Sequence, residues 1–322
     1  MRSILMACLL VVLGVMAEAQ QAPTKLPRIG WLSPGSSPNE FPQRQVLEGL
    51  RELGWADGRN LVIEYRHAAG SVAKLAEFAA DLVRRNVNVI VTFSAGAAVA
   101  KKATETIPIV MQTSQDPVRA GLAASLARPG GNLTGITFLT DELSGKRLEL
   151  LKEAMPSASR VAVIWEPAHV DNEYKGMQVA APELGVRLQS LEVPRPSRPD
   201  EVERLIRSAR DGQAQALVAA PGGFTIAYRK QLIDLAAKHR LPVFSAWAIF
   251  ADDGAILTYG PEMDWARRLA YYIDRVLKGA KPSDLPIEQP MKFEFVINLK
   301  TAKQIGQEVP SWTLMKADRV IR

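Results

Sequence analysis

The stretch Val87-Asn88-Val89-Ile90-Val91-Thr92-Phe93-Ser94-Ala95-Gly96-Ala97-Ala98 decides how this chain is read. Its first half, through Thr92, is largely apolar and rich in β-branched residues. A strand looks like this when both of its faces are covered. The second half passes through Ser94 and several small residues into a helical pattern over Ala97–Thr104. A covered strand that feeds directly into a helix is the building unit of a parallel sheet.

The same alternation extends in both directions. Upstream lie a strand at Arg28–Leu32, a helix at Gln43–Leu53 stopped by Gly54, and a strand at Leu61–Tyr65. A helix follows over Ala73–Arg85, with Leu75, Phe78, Ala79 and Leu82 on one face at the spacing of an amphipathic helix. Downstream come a strand at Ile107–Met111, a helix over Val118–Ala127 and an extended segment at Leu133–Phe138. The pattern then restarts. Helices are predicted over Lys146–Ala154, Tyr174–Leu184, Asp200–Ala209 and Ile226–His239, with strands at Arg160–Trp165, Arg187–Val193, Ala216–Ala220 and Pro242–Ser245. The closing stretch breaks the rhythm. It has an extended piece at Ala255–Tyr259, a helix over Asp264–Lys278 stopped by Gly279, a Pro-rich run, a strand at Lys292–Ile297 and a short helix over Thr301–Gly306. We expect a first lobe of residues 28–138 with part of 255–322. The second lobe is 146–250, with part of 280–322 as a candidate addition. The chain then re-crosses between the lobes and leaves a cleft.

Ligands of open parallel α/β sheets sit outside the carboxyl ends of the strands. That rule nominates Trp31, Ser33, Ser94, Ala95, Gly96, Ser114 and Asp116 in the first lobe, and Trp165, Pro221 and Trp247 in the second. The helix start after Ser94 presents unpaired N–H groups and suits a carboxylate, although Ser94 also fits a plain N-cap. Asp116 fits equally a partner for an amino group and a cap for the helix from Val118. The three tryptophans fit either aromatic cleft walls or core packing.

The chain has 322 residues, enough for two domains and a large core, and 47% of them are hydrophobic. Its net charge of +6 is dispersed, which reads as a solvated basic surface rather than a nucleic-acid footprint. Arg2, the apolar run Ile4–Met16 and Ala17-Glu18-Ala19 have the layout of a cleavable secretory leader over residues 1–19. The single cysteine, Cys8, lies inside it, and Leu5-Met6-Ala7-Cys8 only loosely matches a lipid-attachment site, since the apolar run continues past it. A leader implies an exported protein without disulfides. Dinucleotide, Walker A, Gly-x-Ser-x-Gly and His-Glu-x-x-His motifs are absent. The three histidines, His67, His169 and His239, lack metal-ligand spacing, and Asp252-Asp253 before Gly254 reads as a turn. No catalytic residue, metal or cofactor is expected.

Several segments carry a family resemblance: Arg28-Ile29-Gly30-Trp31-Leu32-Ser33, Ala127-Arg128-Pro129-Gly130-Gly131-Asn132-Leu133-Thr134-Gly135, Ser144-Gly145-Lys146-Arg147-Leu148-Glu149-Leu150-Leu151 and Asn298-Leu299-Lys300-Thr301-Ala302. With them the chain resembles the substrate-binding proteins of bacterial ABC transporters, in the family of tryptophan and tyrosine uptake proteins. The resemblance implies a type I periplasmic-binding-protein fold: two Rossmann-like α/β lobes with parallel sheets, joined by three crossings. It also implies a periplasmic monomer that hands a small ligand, an amino acid or aromatic acid, to an inner-membrane permease. Ser94-Ala95-Gly96-Ala97 stands where relatives have Thr-Pro-Ala-Ala, keeping the hydroxyl and losing the proline. Asp116 matches the family's Asp-Pro, and Tyr259 matches a position near the hinge. A ligand-sensing partner of a membrane receptor, and an enzyme on the same scaffold, are the alternatives.

Overall fold

The computed structural model describes residues 26–35, 41–138, 143–167, 173–194, 198–262 and 264–322. The leader segment, Cys8 and His169 lie outside these residues.

The first sheet is built from β1 (Arg28–Ser33), β2 (Val62–His67), β3 (Val89–Phe93), β4 (Ile109–Thr113) and β5 (Leu133–Thr137), with α1 (Phe41–Glu52), α2 (Val72–Arg84) and α3 (Gly96–Ala103) between strands. The strand order is β2-β1-β3-β4-β5 and every pairing is parallel. The helices cover both faces, which is why Val89–Thr92 is buried along its whole length. Ser71 caps α2 by accepting the Lys74 N–H, and Leu75, Ala79 and Leu82 form its buried stripe.

After α4 (Ser144–Ala154) the second sheet begins. It takes β6 (Arg160–Trp165), β7 (Arg187–Glu192), β8 (Ala216–Ala219) and β9 (Val243–Ser245), with α5 (Glu173–Ala180), α6 (Glu201–Asp211), α7 (Gly223–Ala227), α8 (Arg229–Lys238) and α9 (Ala248–Asp252) around it. It continues through β10 (Leu257–Pro261), β11 (Phe293–Asn298) and β12 (Arg319–Ile321). The order is β12-β11-β10-β9-β8-β6-β7, parallel except where β11 runs against β10. Helices α11 (Leu299–Ile305) and α12 (Ser311–Leu314) follow β11.

The helix α10 (Trp265–Leu277) returns to the first lobe. Asp264 caps it by accepting the Arg267 N–H, and Leu269, Tyr272, Ile273 and Val276 bury into the core beneath β1, β3 and β4. It lies close against α1 because Gly49 has no side chain: a Cβ there would come within 2.9 Å of Ala270 Cβ. The Pro-rich run then lies along β5, where Thr137 N–H donates to Glu288 O and Glu288 N–H donates to Gly135 O. From Glu288 the chain passes back into β11. The lobes are therefore joined three times, after β5, after β10 and before β11, in a type I periplasmic-binding-protein arrangement. Glu262 N–H donates to Lys292 O at 3.0 Å and ties the last two crossings together.

Several expectations need correction. Val118–Ala127 is not a helix. Asp116 starts one turn, then Gly121 takes a φ of +69° and the chain leaves the helical path. The helix expected over Ile226–His239 is broken at Tyr228 into α7 and α8. Asp252 ends α9, while Asp253 and Gly254 form the turn expected there, and each carboxylate is paired, with Arg319 and Arg229 respectively. The strand β12 and helix α9 carry no periodic signal long enough to read, being three and five residues.

Candidate ligand-binding cleft

In each sheet the strand order reverses once. The reversal falls between β1 and β3 in the first lobe and between β6 and β8 in the second. The loops on either side of such a reversal diverge and leave a crevice at the carboxyl edge, the usual ligand position in this architecture. Ser33 and the segment Ser94–Gly96 sit at the first reversal, and Ser114 and Asp116 follow the neighbouring strand. Trp165 and Pro221 sit at the second reversal, and Trp247 follows β9.

The first wall is built around the start of α3. Ser94 has a φ of +47°, unusual for a residue with a side chain, and its N–H is held by Gln112 O at 2.8 Å. Backbone strain of this kind gathers at functional loops. The Ser94 side chain does not cap the helix; the cap residue is Ala95, which makes no side-chain cap bond. The N–H groups of Ala95 and Gly96 have no acceptor among the described residues. Gly96 has a packing reason of its own: a Cβ there would fall on Thr92 Oγ1, which donates to Leu32 O. Asp116 is held in place by its own turn, since Oδ1 accepts the N–H groups of Val118 at 2.8 Å and Arg119 at 3.3 Å. Ser33 Oγ accepts the Gly35 N–H, which makes it a loop anchor. Ser114 is buried beneath the strand end. Trp31 is 1% exposed and belongs to the core. It stands behind the wall, and half-buried Phe93, 5.2 Å away, stands in front of it.

The second wall carries a carboxylate. Glu166 Oε1 accepts the Phe224 N–H at 2.7 Å, so the side chain closes over the Pro221–Gly223 loop. A Cβ at Gly222 would fall on Glu166 Oε1, so a larger residue here displaces the carboxylate. Pro221 itself is buried. The Trp165 ring stacks on Tyr174 at 4.8 Å and its Nε1 donates to Ser190 Oγ, so it braces β6 against β7 and α5. Trp247 packs against both lobes, touching the core of each. Tyr259 lies apart from this group, beside the hinge. Its carbonyl accepts the Arg147 Nε–H at 2.8 Å and its ring lies among Phe293 and Phe295.

Residues 42–321 match the model of the ABC transporter substrate binding protein family. The chain belongs to that family. It is also 27% identical, over 83% of its length and 76% of the relative's, to a tyrosine-binding protein of Clostridioides difficile. A conserved domain protein of Vibrio cholerae superposes with a TM-score of 0.77 at 25% identity, covering 92% of this chain and 100% of that one. An ABC domain in complex with L-Trp from Streptococcus pneumonia superposes at 0.74 with 22% identity and the same coverage.

Near the two strand-order reversals, the N–H groups of Ala95 and Gly96 have no acceptor among the described residues, and the carboxylates of Asp116 and Glu166 accept backbone N–H groups. The described residues hold no cluster of His, Cys, Asp or Glu able to bind a metal ion. No described helix is long and apolar enough to cross a membrane. Neither periodicity nor spacing assigns a role to Glu166 or Phe138, because Glu166 meets the Phe224 N–H 58 residues away and Phe138 meets Trp247 of the other lobe.

Proposed function

We propose that this chain is the periplasmic binding component of an ABC importer, capturing a small carboxylate-bearing ligand between its lobes and presenting it to an inner-membrane permease. The ligand class is an amino acid or aromatic acid. The observation that carries this reading is the pair of N–H groups at Ala95 and Gly96, aimed at the first strand-order reversal without an acceptor among the described residues. A helix start of this kind favours a carboxylate through its oriented donors and the helix dipole. Asp116 and Glu166 are placed to receive a ligand ammonium. Closure of two lobes about a three-strand hinge would bury the ligand, and a permease can read the closed state. The relatives support the ligand class, one being named for tyrosine and one holding L-Trp. Export follows from the leader layout of Arg2–Ala19.

The test is a thermal-shift screen of amino acids and aromatic acids on the mature chain, followed by titration calorimetry. A cognate ligand at a hundredfold excess over its Kd stabilises the fold by about 2.7 kcal/mol. Asp116→Asn should weaken binding of amino acids more than of simple aromatic acids. A screen in which no carboxylate raises the melting temperature in a saturable way sinks the proposal.

A further inference from the structure

Arg147 lies in the first turn of α4, where the chain enters the second lobe after the first crossing. Its guanidinium is buried and meets two other segments. Nε donates to Tyr259 O at 2.8 Å, near the end of β10, where the chain leaves the lobe for the second crossing. Nη1 lies 2.8 Å from Glu173 Oε1. Glu173 is the first residue of α5, the helix that follows Trp165 and Glu166 at the end of β6. One side chain therefore joins the entry of the second lobe, its exit and the helix behind its cleft wall.

This chemistry suits a lock better than plain packing. A buried ion pair gains little over apolar residues of similar shape, because both charges lose their water, and its best-attested use is to fix one geometry. Arginine presents Nε and Nη in one rigid plane, so the Tyr259 carbonyl and the Glu173 carboxylate are held in a fixed mutual relation. The chain just beyond Tyr259 is held as well. A Cβ at Gly260 would fall on Ala246 O, so the backbone there presses against the loop after β9, and Pro261 still pairs with Phe293 of β11. Asp264 already caps α10. Hinges are a few residues at element ends that absorb the φ/ψ change while the flanking bodies move rigidly. In the second crossing, that role falls to the short stretch between Pro261 and Asp264.

We propose that Arg147 is a positioning residue for lobe closure: it locks the entry and exit of the second lobe to α5, so that hinge motion begins beyond Pro261 and the cleft wall moves with its lobe as one body. This goes beyond the capture function proposed above and does not depend on it. Without the lock, the second crossing could also turn at Tyr259, and the lobes would sample a wider range of angles.

The experiment is double electron–electron resonance on the full mature chain without added ligand, with spin labels at Val72→Cys on α2 and Arg207→Cys on α6. Both side chains are exposed, one on each lobe, and residues 20–322 contain no cysteine of their own. Arg147→Met with Glu173→Met should widen the interlobe distance distribution by about half or more. Arg147→Lys keeps the buried charge, and with it the fold, but has one nitrogen for two partners; it should widen the distribution too. Glu173→Gln keeps an acceptor beside the guanidinium and leaves Nε on Tyr259 O, so it should stay as narrow as the wild type. Ile109→Ala, in the core of the first lobe, is the control: it should lower the melting temperature without widening the distribution. Wild-type widths in both Arg147 variants overturn the lock. So does a Glu173→Gln or Ile109→Ala distribution as wide as theirs, since the widening would then report lost charge or lost stability rather than the tie to Tyr259.

Discussion

The ring of Trp247 meets the ring of Phe138 edge to face, with centroids 4.9 Å apart and planes at 77°. Phe138 directly follows the first lobe's last strand and opens the first crossing, while Trp247 follows β9 in the second lobe. Trp265, at the second crossing, meets the same Phe138 ring at 6.4 Å. One buried phenylalanine thus collects a tryptophan from the second lobe and another from the hinge.

Such an edge-to-face pair contributes about 0.5–1.5 kcal/mol beyond the area it buries. Because this pair spans the lobes, Trp247→Leu should weaken ligand binding by up to about tenfold while leaving each lobe folded. Calorimetry gives the affinity and circular dichroism the fold. An unchanged Kd would show that the contact persists equally in the open and closed states.

Gly96→Ala should destabilise the chain by about 1–3 kcal/mol, because its Cβ would fall on Thr92 Oγ1 and force the start of α3 away from β3. Gly145→Ala is the control. Its Cβ would meet Ala180 at 3.5 Å, an ordinary contact, and alanine gains up to about 1 kcal/mol over glycine inside a helix. Denaturant midpoints of the two variants should therefore move in opposite directions.

Arg147 and Glu173 form an ion pair at 2.8 Å with side chains only 5% and 1% exposed. The same guanidinium donates to Tyr259 O, just before the second crossing. Arg147→Met strips the counter-charge from a buried carboxylate and should cost about 3–5 kcal/mol. Adding Glu173→Met should restore a large part of that loss. A double-mutant cycle measures the coupling, and simple additivity would contradict a functioning pair.

Asp81 carries a pH prediction. Hydrogen bonds from Arg66 and then Arg85 lower its carboxyl from 3.8 to about 2. A carboxyl depressed in the folded state adds stability above its unfolded pKa and loses it as pH falls through the folded value. The stability difference between wild type and Asp81→Asn should therefore be constant above pH 5, shrink below about pH 4 and fade near pH 2. Acid unfolding followed by circular dichroism checks the slope, and a difference that persists unchanged down to pH 2 rules the linkage out.

The segments that carry the family resemblance prove largely structural. Asn132, in Pro129-Gly130-Gly131-Asn132, donates to Thr104 O and Ile107 O and accepts from Lys101 Nζ, which ties the loops before β4 and β5 together. Gly135 lies against the Met111 backbone at a φ of +136°, where no side chain fits. Asn298 caps α11 by accepting the Thr301 N–H, and donates to Ala251 O. These residues identify the scaffold, and they say little about the ligand.

What the sequence determined by itself is the layered architecture. Strands covered on both faces must be apolar throughout, as Val89–Thr92 is, and helices on their flanks must carry one apolar stripe, as Leu75, Ala79 and Leu82 do. Those signals are local, so they survive without coordinates. What only the tertiary structure decided is which residues share an edge. Trp31 and Phe93 both fall near strand ends, but only the fold shows that one is sealed in the core while the other stands at its rim. Glu166 over the Phe224 N–H and Phe138 against Trp247 both arise between segments far apart in the chain. Their positions are set by how the chain crosses between lobes, and neither periodicity nor spacing records that.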